Sequence, residues 1–183
     1  TSNSNYGVLV EHSTGNTFNK LTLRENGYDG GYDGILLYSS SNQNTIKNTL
    51  SEKNEGSGLR IRYSNGNVVQ MSKFLDNEKH GISLDNNANY NTLTQNTITK
   101  NGNNGIYMHT DSNYNTISKN TITGNKWTGI YLLGSDYNII SENTVRDSGT
   151  VGIYLNEESE DNSVINNVIR NSTANGIVMK DKS

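Results

Sequence analysis

Arg60, Arg62, His80, Asp85, Tyr107 and His109 are the residues of this chain whose types and spacing suit proton transfer. Asp85 and His109 occupy matching places in consecutive repeats, and a carboxylate beside an imidazole orients the ring. Arg60 and Arg62, one residue apart, form a candidate clamp for a carboxylate, and Tyr107 or His80 is a candidate proton carrier. A plainer account stands beside this one. Opposite charges on adjacent strands often only stabilise pairing, and Arg62 opposite Asp85 is explained by that alone. Tyr107, Tyr131 and Tyr154 recur as an aromatic stripe whose apolar faces and polar edges suit sugar rings. Tyr38 stands one repeat before the arginines.

What positions these residues is a repeat. Glycines that open an apolar segment fall at 7, 34, 58, 81, 105, 129, 152 and 176, with steps of 27, 24, 23, 24, 24, 23 and 24. One unit reads GISLDNNANYNTLTQNTITKNGNN from Gly81 and the next GIYMHTDSNYNTISKNTITGNKWT from Gly105. Apolar residues alternate with period two in G-I-x-L and then recur in two short N-T-I pieces, a strand pattern rather than a helical one. Three short strands per unit of constant length predict an all-β, single-stranded right-handed parallel β-helix, with rungs stacked ~4.8 Å apart. One domain over 1–183 is expected, with seven full rungs plus a terminal strand and no evident caps.

The columns follow from the repeat. Val8, Ile35, Leu59, Ile82, Ile106, Ile130, Ile153 and Ile177 form the first inward stack, and a second contains Met108 and Met179 as core filler. Asparagines stack at the bends, one column running through Asn44, Asn67, Asn91, Asn115 and Asn138 and another through Asn48, Ser72, Asn96, Asn120 and Asn143. Asparagine tolerates left-handed backbone and its amide can bond its stacked neighbour. Tyr90, Tyr114 and Tyr137 are expected to stack at a corner.

Composition bounds the function. Hydrophobic residues make up 31% and charged residues 18%, with a net charge of -3, so the polarity is amide, hydroxyl and glycine. Mean hydropathy is -0.75 and the isoelectric point is near 5.6, which gives no electrostatic case for nucleic acid or an anionic membrane. No run is apolar enough for direct membrane insertion. With no cysteine, thiolate chemistry and cysteine-based metal sites are excluded.

The units GIYLxxSxxNxI and NTIxxN resemble the right-handed parallel β-helix repeats of NosD-like proteins, also called carbohydrate-binding and sugar-hydrolysis domains. The resemblance covers nearly every residue. It implies an extracellular or cell-surface protein that contacts polysaccharide along its first-strand face, with lyase, epimerase or glycoside hydrolase activity as the sharper expectation. Against the known enzymes there are departures. No Asp-Asp pair of the pectin hydrolases occurs, and without proline the Asp-Pro-His of alginate epimerases is impossible. No metal ligand set and no cofactor is expected, calcium being the one candidate through Asp29 and Asp33. The rival class is a structural protein stacking end to end with itself as a filament or surface layer.

One stretch breaks the period. GYDGGYDG, Gly27 to Gly34, inserts four residues at a corner that leads into the first strand beside Tyr38, Arg60 and Arg62. Tyr28 and Tyr32 are expected to overhang the groove and touch sugar. The alternative is a solvated glycine-rich insertion with no binding role.

Overall fold

The structure, a computed structural model, describes residues 3–27 and 30–181. Expectations attached to Tyr28 and Asp29 lie outside the described residues.

Each repeat supplies one four-residue strand and two three-residue strands, as in Ile82–Asp85, Thr92–Thr94 and Thr97–Thr99. Every strand pairs in parallel with its counterpart one repeat away, so Ile82 lies between Leu59 and Ile106. Three sheets of eight, seven and seven strands result. They are the walls of a right-handed coil of seven rungs and a last strand, Ile177–Met179.

Strand geometry fixes which side chains enter the core. The first and third residues of the long strand point inward, and the middle residue of each short strand does so too. Ile82, Leu84, Leu93 and Ile98 of one rung are fully buried, and so are Ile106, Met108, Ile117 and Ile122 of the next. Each such side chain contributes about 2 kcal/mol of burial. Met179 shares a column with Met108 but is half exposed in the last strand.

The glycine column has a packing cause. A Cβ on Gly81 would lie 2.7 Å from the carbonyl oxygen of Gly105 and 2.9 Å from the Asn101 amide nitrogen. Gly105 meets Gly129 in the same way, at 2.6 Å. The rungs approach too closely there for any side chain.

Three asparagine ladders run along the coil. In the first, the Asn91 N–H donates to Asn115 Oδ1 at 2.7 Å and the Asn115 N–H to Asn138 Oδ1 at 2.7 Å. The second passes through Thr49, whose N–H donates to Ser72 Oγ, and then through Asn96 and Asn120. Asn48 is therefore one residue outside that column, correcting the sequence reading. The third, not expected as a ladder, links Asn26, Asn54, Asn77, Asn101 and Asn125. Left-handed backbone belongs mostly to the residue before each ladder position, as at Tyr90, Gln95 and Lys100. The asparagine then accepts the bond that the sharp bend denies to the sheet. The tyrosine stack forms as expected, with Tyr90, Tyr114 and Tyr137 rings 5.1 and 5.0 Å apart.

The alternation of 23 and 24 also has a local origin. Corners after the long strand bend through one left-handed residue in short units, as at Tyr63, and through two in long units, as at Asn86 and Asn87 or Thr110 and Asp111. The strands ending in Asp85 and His109 both run into double bends.

Candidate functional site

Parallel register places Asp85 directly between Arg62 and His109 on the first sheet. Asp85 is 3% exposed, although it belongs to an outward position. Oδ2 lies 3.5 Å from Arg60 Nε, 3.7 Å from His109 Nε2 and 4.0 Å from Arg62 Nε. Oδ1 has no hydrogen-bond partner within the protein. A buried carboxylate with one orphaned oxygen is costly, and such sites are where function is sought.

The two arginines are not equivalent. Arg60 also reaches Asp33, with Nη1 3.8 Å from Oδ2, so it sits between two carboxylates. Asp33 is buried and accepts the Ser57 N–H at 2.6 Å. Burial pushes the Asp33 carboxyl above the usual range, against the opposing pull of Arg60. Arg62 has a neutral close partner. The Asn86 amide, oriented oxygen-first, accepts from Arg62 Nε and Nη2 at 2.8 and 2.9 Å. Its guanidinium also lies over the Tyr63 ring at 5.3 Å. The charge of Arg62 is therefore the less compensated of the two.

His109 is held on both sides, Nε2 toward Asp85 and Nδ1 2.9 Å from Thr110 Oγ1. With the proton on Nε2, the Nδ1 lone pair faces the hydroxyl of an exposed residue. Tyr107 lies between two imidazoles, its ring 4.8 Å from His80 and 4.7 Å from His109. The stack continues through Tyr131 at 5.4 Å and Tyr154 at a further 5.0 Å. Much of each inner face is thus taken by a neighbouring ring, and edges and hydroxyls are what this stripe offers. The Tyr131 hydroxyl accepts from Asn156 Nδ2 at 3.2 Å. Burial raises the Tyr107 hydroxyl above its ordinary range, so it remains a proton donor at neutral pH.

His80 is neutral. Burial first, then the positive charges of Arg60, His109 and Lys79, lower its pKa to about 4, and Asp85 only partly opposes them. The unfolded chain takes up this proton near pH 6.5, well before the folded one. Stability from neutral His80 is thus complete above pH 6.5 and is lost as pH falls toward 4. A slope of about 1 kcal/mol per pH unit is expected in that window. It should flatten in His80→Gln, as read by thermal melts from pH 7 to 4.5.

Two shallow recesses open on this face. One, of ≈ 260 Å³, is bordered by Tyr6, Leu9, Glu11, Leu36, Tyr38, Arg60 and Arg62. The other lies over Tyr107 and Tyr131 under the indole of Trp127. The structure brings Arg60, Arg62, Asp85 and His109 together, with Tyr107 and His80 adjoining; Tyr38 joins the first recess and Tyr154 ends the stack. Tyr32 packs edge-on against Tyr6 at 4.8 Å, at the end of the inserted corner. Sequence reasoning passed over Tyr6, Trp127 and the ionic role of Asp33. Asp33 and Tyr6 occupy the column just before each glycine, and Trp127 is the only tryptophan of the chain.

A right-handed parallel β-helix with a mixed ionic and aromatic first face is the class defined by this architecture. The chain belongs to the NosD family, whose model, described as periplasmic copper-binding protein (NosD), matches residues 1–183. Among solved structures, the A-module of mannuronan C-5 epimerase AlgE4 from Azotobacter vinelandii is similar at 17% identity and TM-score 0.87, covering 97% of this chain and 54% of that one. A variant of the periplasmic alginate epimerase AlgG gives 18% identity and TM-score 0.78, covering 96% and 48%. DFA-IIIase from Arthrobacter chlorophenolicus A6 in complex with DFA-III gives 17% and 0.64, covering 80% and 33%. The chain thus spans about half the length, or less, of these structures, and at such identity the likeness is one of fold. No curated protein matches the chain in sequence.

The copper in the family's description does not fit the residues present. Among the described residues no three His, Cys, Asp or Glu side chains are grouped to hold a metal. His80 and His109 each stack against the Tyr107 ring, and Met108 is sealed in the core.

Proposed function

We propose that this protein contacts an acidic polysaccharide along its first-strand face, with proton chemistry on a uronate residue at the Asp85 cluster. The observation that carries this is the sharing of one buried Asp85 oxygen by Arg60, Arg62 and His109 on the outward face of the first sheet. Arg62 holds the sugar carboxylate, since its charge is the less compensated. Neutralising that carboxylate acidifies the hydrogen on the adjacent carbon. His109, oriented by Asp85, takes that proton through Nδ1, and the Tyr107 hydroxyl donates one. Elimination and epimerisation both begin with this step. The mannuronan and alginate epimerases that share the fold support the substrate class.

We assign the protein to a compartment outside the cytoplasm, the periplasm or the cell surface, on the support of the family's description. Among the described residues no helix is long and apolar enough to cross a membrane.

The test is titration of polygalacturonate and alginate by calorimetry, with ultraviolet detection of unsaturated product. Arg62→Ala is expected to weaken binding about tenfold and to reduce its salt dependence. Absence of binding to every acidic polymer would remove this reading. Concentration-dependent filaments in the same preparations would favour end-to-end stacking.

A further inference from the structure

We infer that the recess beside Trp127 is a second subsite, which takes an uncharged sugar ring next to the acidic residue held at Arg62. The inference rests on the polysaccharide reading above and adds the composition of the chain that fits. The recess measures ≈ 200 Å³ and is lined by His80, Asn103, Asn104, Tyr107, Trp127 and Tyr131.

Trp127 is 56% exposed, yet its backbone is fixed on both sides. Its N–H donates to the Asn103 carbonyl at 3.2 Å, and its carbonyl accepts from the Thr150 N–H at 3.0 Å. An ordered corner therefore presents a large indole to water beside a concave floor of aromatic rings edged by Asn103 and Asn104. Exposed aromatic anchors in such settings mark binding surfaces. The rings of Tyr107 and Tyr131 lean on each other and on further rings, so the indole is the aromatic group here outside that stack.

The lining decides the class of sugar. It contains no Asp, Glu, Lys or Arg. His80 is neutral at physiological pH, and burial keeps the Tyr107 and Tyr131 hydroxyls protonated. A carboxylate buried there would have no cation among the lining side chains, whereas hydroxyl and amide groups of a neutral ring would meet partners of their own kind. Tyr107 stacks against His109 and borders this recess, so the recess adjoins the Asp85 cluster. The favoured ligand is a heteropolysaccharide in which uncharged residues alternate with uronates.

A single tryptophan makes the subsite directly readable by intrinsic fluorescence. The probes are hyaluronan, in which glucuronate alternates with N-acetylglucosamine, and polygalacturonate, which is acidic throughout. Each is titrated into the full chain and into Trp127→Ala, with calorimetry in parallel and circular dichroism to verify folding. Hyaluronan is expected to shift the Trp127 emission, and Trp127→Ala to lose about tenfold in affinity for it while its affinity for polygalacturonate stays the same. Hyaluronan heat without an emission change, or equal affinity in parent and variant, would overturn the subsite and leave the acidic-polysaccharide reading standing. Binding of neither polymer by calorimetry would overturn the subsite, and absence of alginate binding as well would overturn both readings.

Discussion

Asn120→Ala is expected to destabilise the protein by about 3 kcal/mol and to lower its Tm by roughly 6–12 °C. Asn120 is 1% exposed, and its side chain makes four hydrogen bonds. Oδ1 accepts from the Asn96 N–H at 2.9 Å and from Asn96 Nδ2 at 3.1 Å. Nδ2 donates to the Leu93 carbonyl at 2.9 Å and to Asn143 Oδ1 at 3.0 Å. Truncation strands the buried Asn96 N–H where water has no access, and the penalty for the orphan exceeds the net worth of the bond itself. It also takes one bond each from Asn96 Nδ2, which keeps the Val69 carbonyl, and Asn143 Oδ1, which keeps the Asn120 N–H. Asn167→Ala is the control. It stands in the same ladder but is only partly buried, so water can replace the amide and a loss of about 1 kcal/mol is expected. Equal melting temperatures for the two variants would mean that the ladders are ornamental.

Asp85→Asn is expected to separate kcat from KM on an acidic polysaccharide. The substitution preserves shape and removes the one charge that His109, Arg60 and Arg62 share. Without it the imidazole loses the carboxylate that orients it, so kcat should fall about 10²- to 10⁴-fold. The net charge of the cluster rises by one at the same time. Affinity for a uronate polymer should therefore hold or improve, and KM should stay or fall. A rise in KM with kcat unchanged would assign Asp85 to uniform binding and remove the proton-transfer role. Calorimetry reads the electrostatic half even where turnover is slow, as a tighter and more salt-sensitive association.

The fold was legible because its determinants are periodic. Glycine, aliphatic and asparagine positions recur every 23 or 24 residues, and each recurrence is independent testimony to the same coil. The ladder offset at Asn48 was harder to see. Thr49 and Ser72 replace asparagine there, and only the bond from the Thr49 N–H to Ser72 Oγ reveals which residue is in line. The cluster was legible in outline, since Arg62, Asp85 and His109 fall opposite one another once the register is counted. Its inner charge balance was not. The pairing of Arg60 with Asp33 crosses from one outward column to another, and which carboxylates a long side chain reaches is not determined by register. Trp127 escaped because it projects from a corner and not from a strand. The self-stacking of Tyr107, Tyr131 and Tyr154, which hides the faces that a sugar would use, depends on side-chain rotamers that register alone does not determine.

Because each strand bonds only its counterparts one repeat before and after, a rung is also a heritable increment. Tandem duplication of some two dozen residues would lengthen the groove by one ~4.8 Å step and need no compensating change elsewhere. The doubled tetrapeptide at Gly27 to Gly34 has the form of the same event on a smaller scale, caught at a corner where the coil absorbs it. Evolution can therefore adjust the length of the first face while leaving the ionic cluster untouched, and reach and chemistry become separately selectable traits.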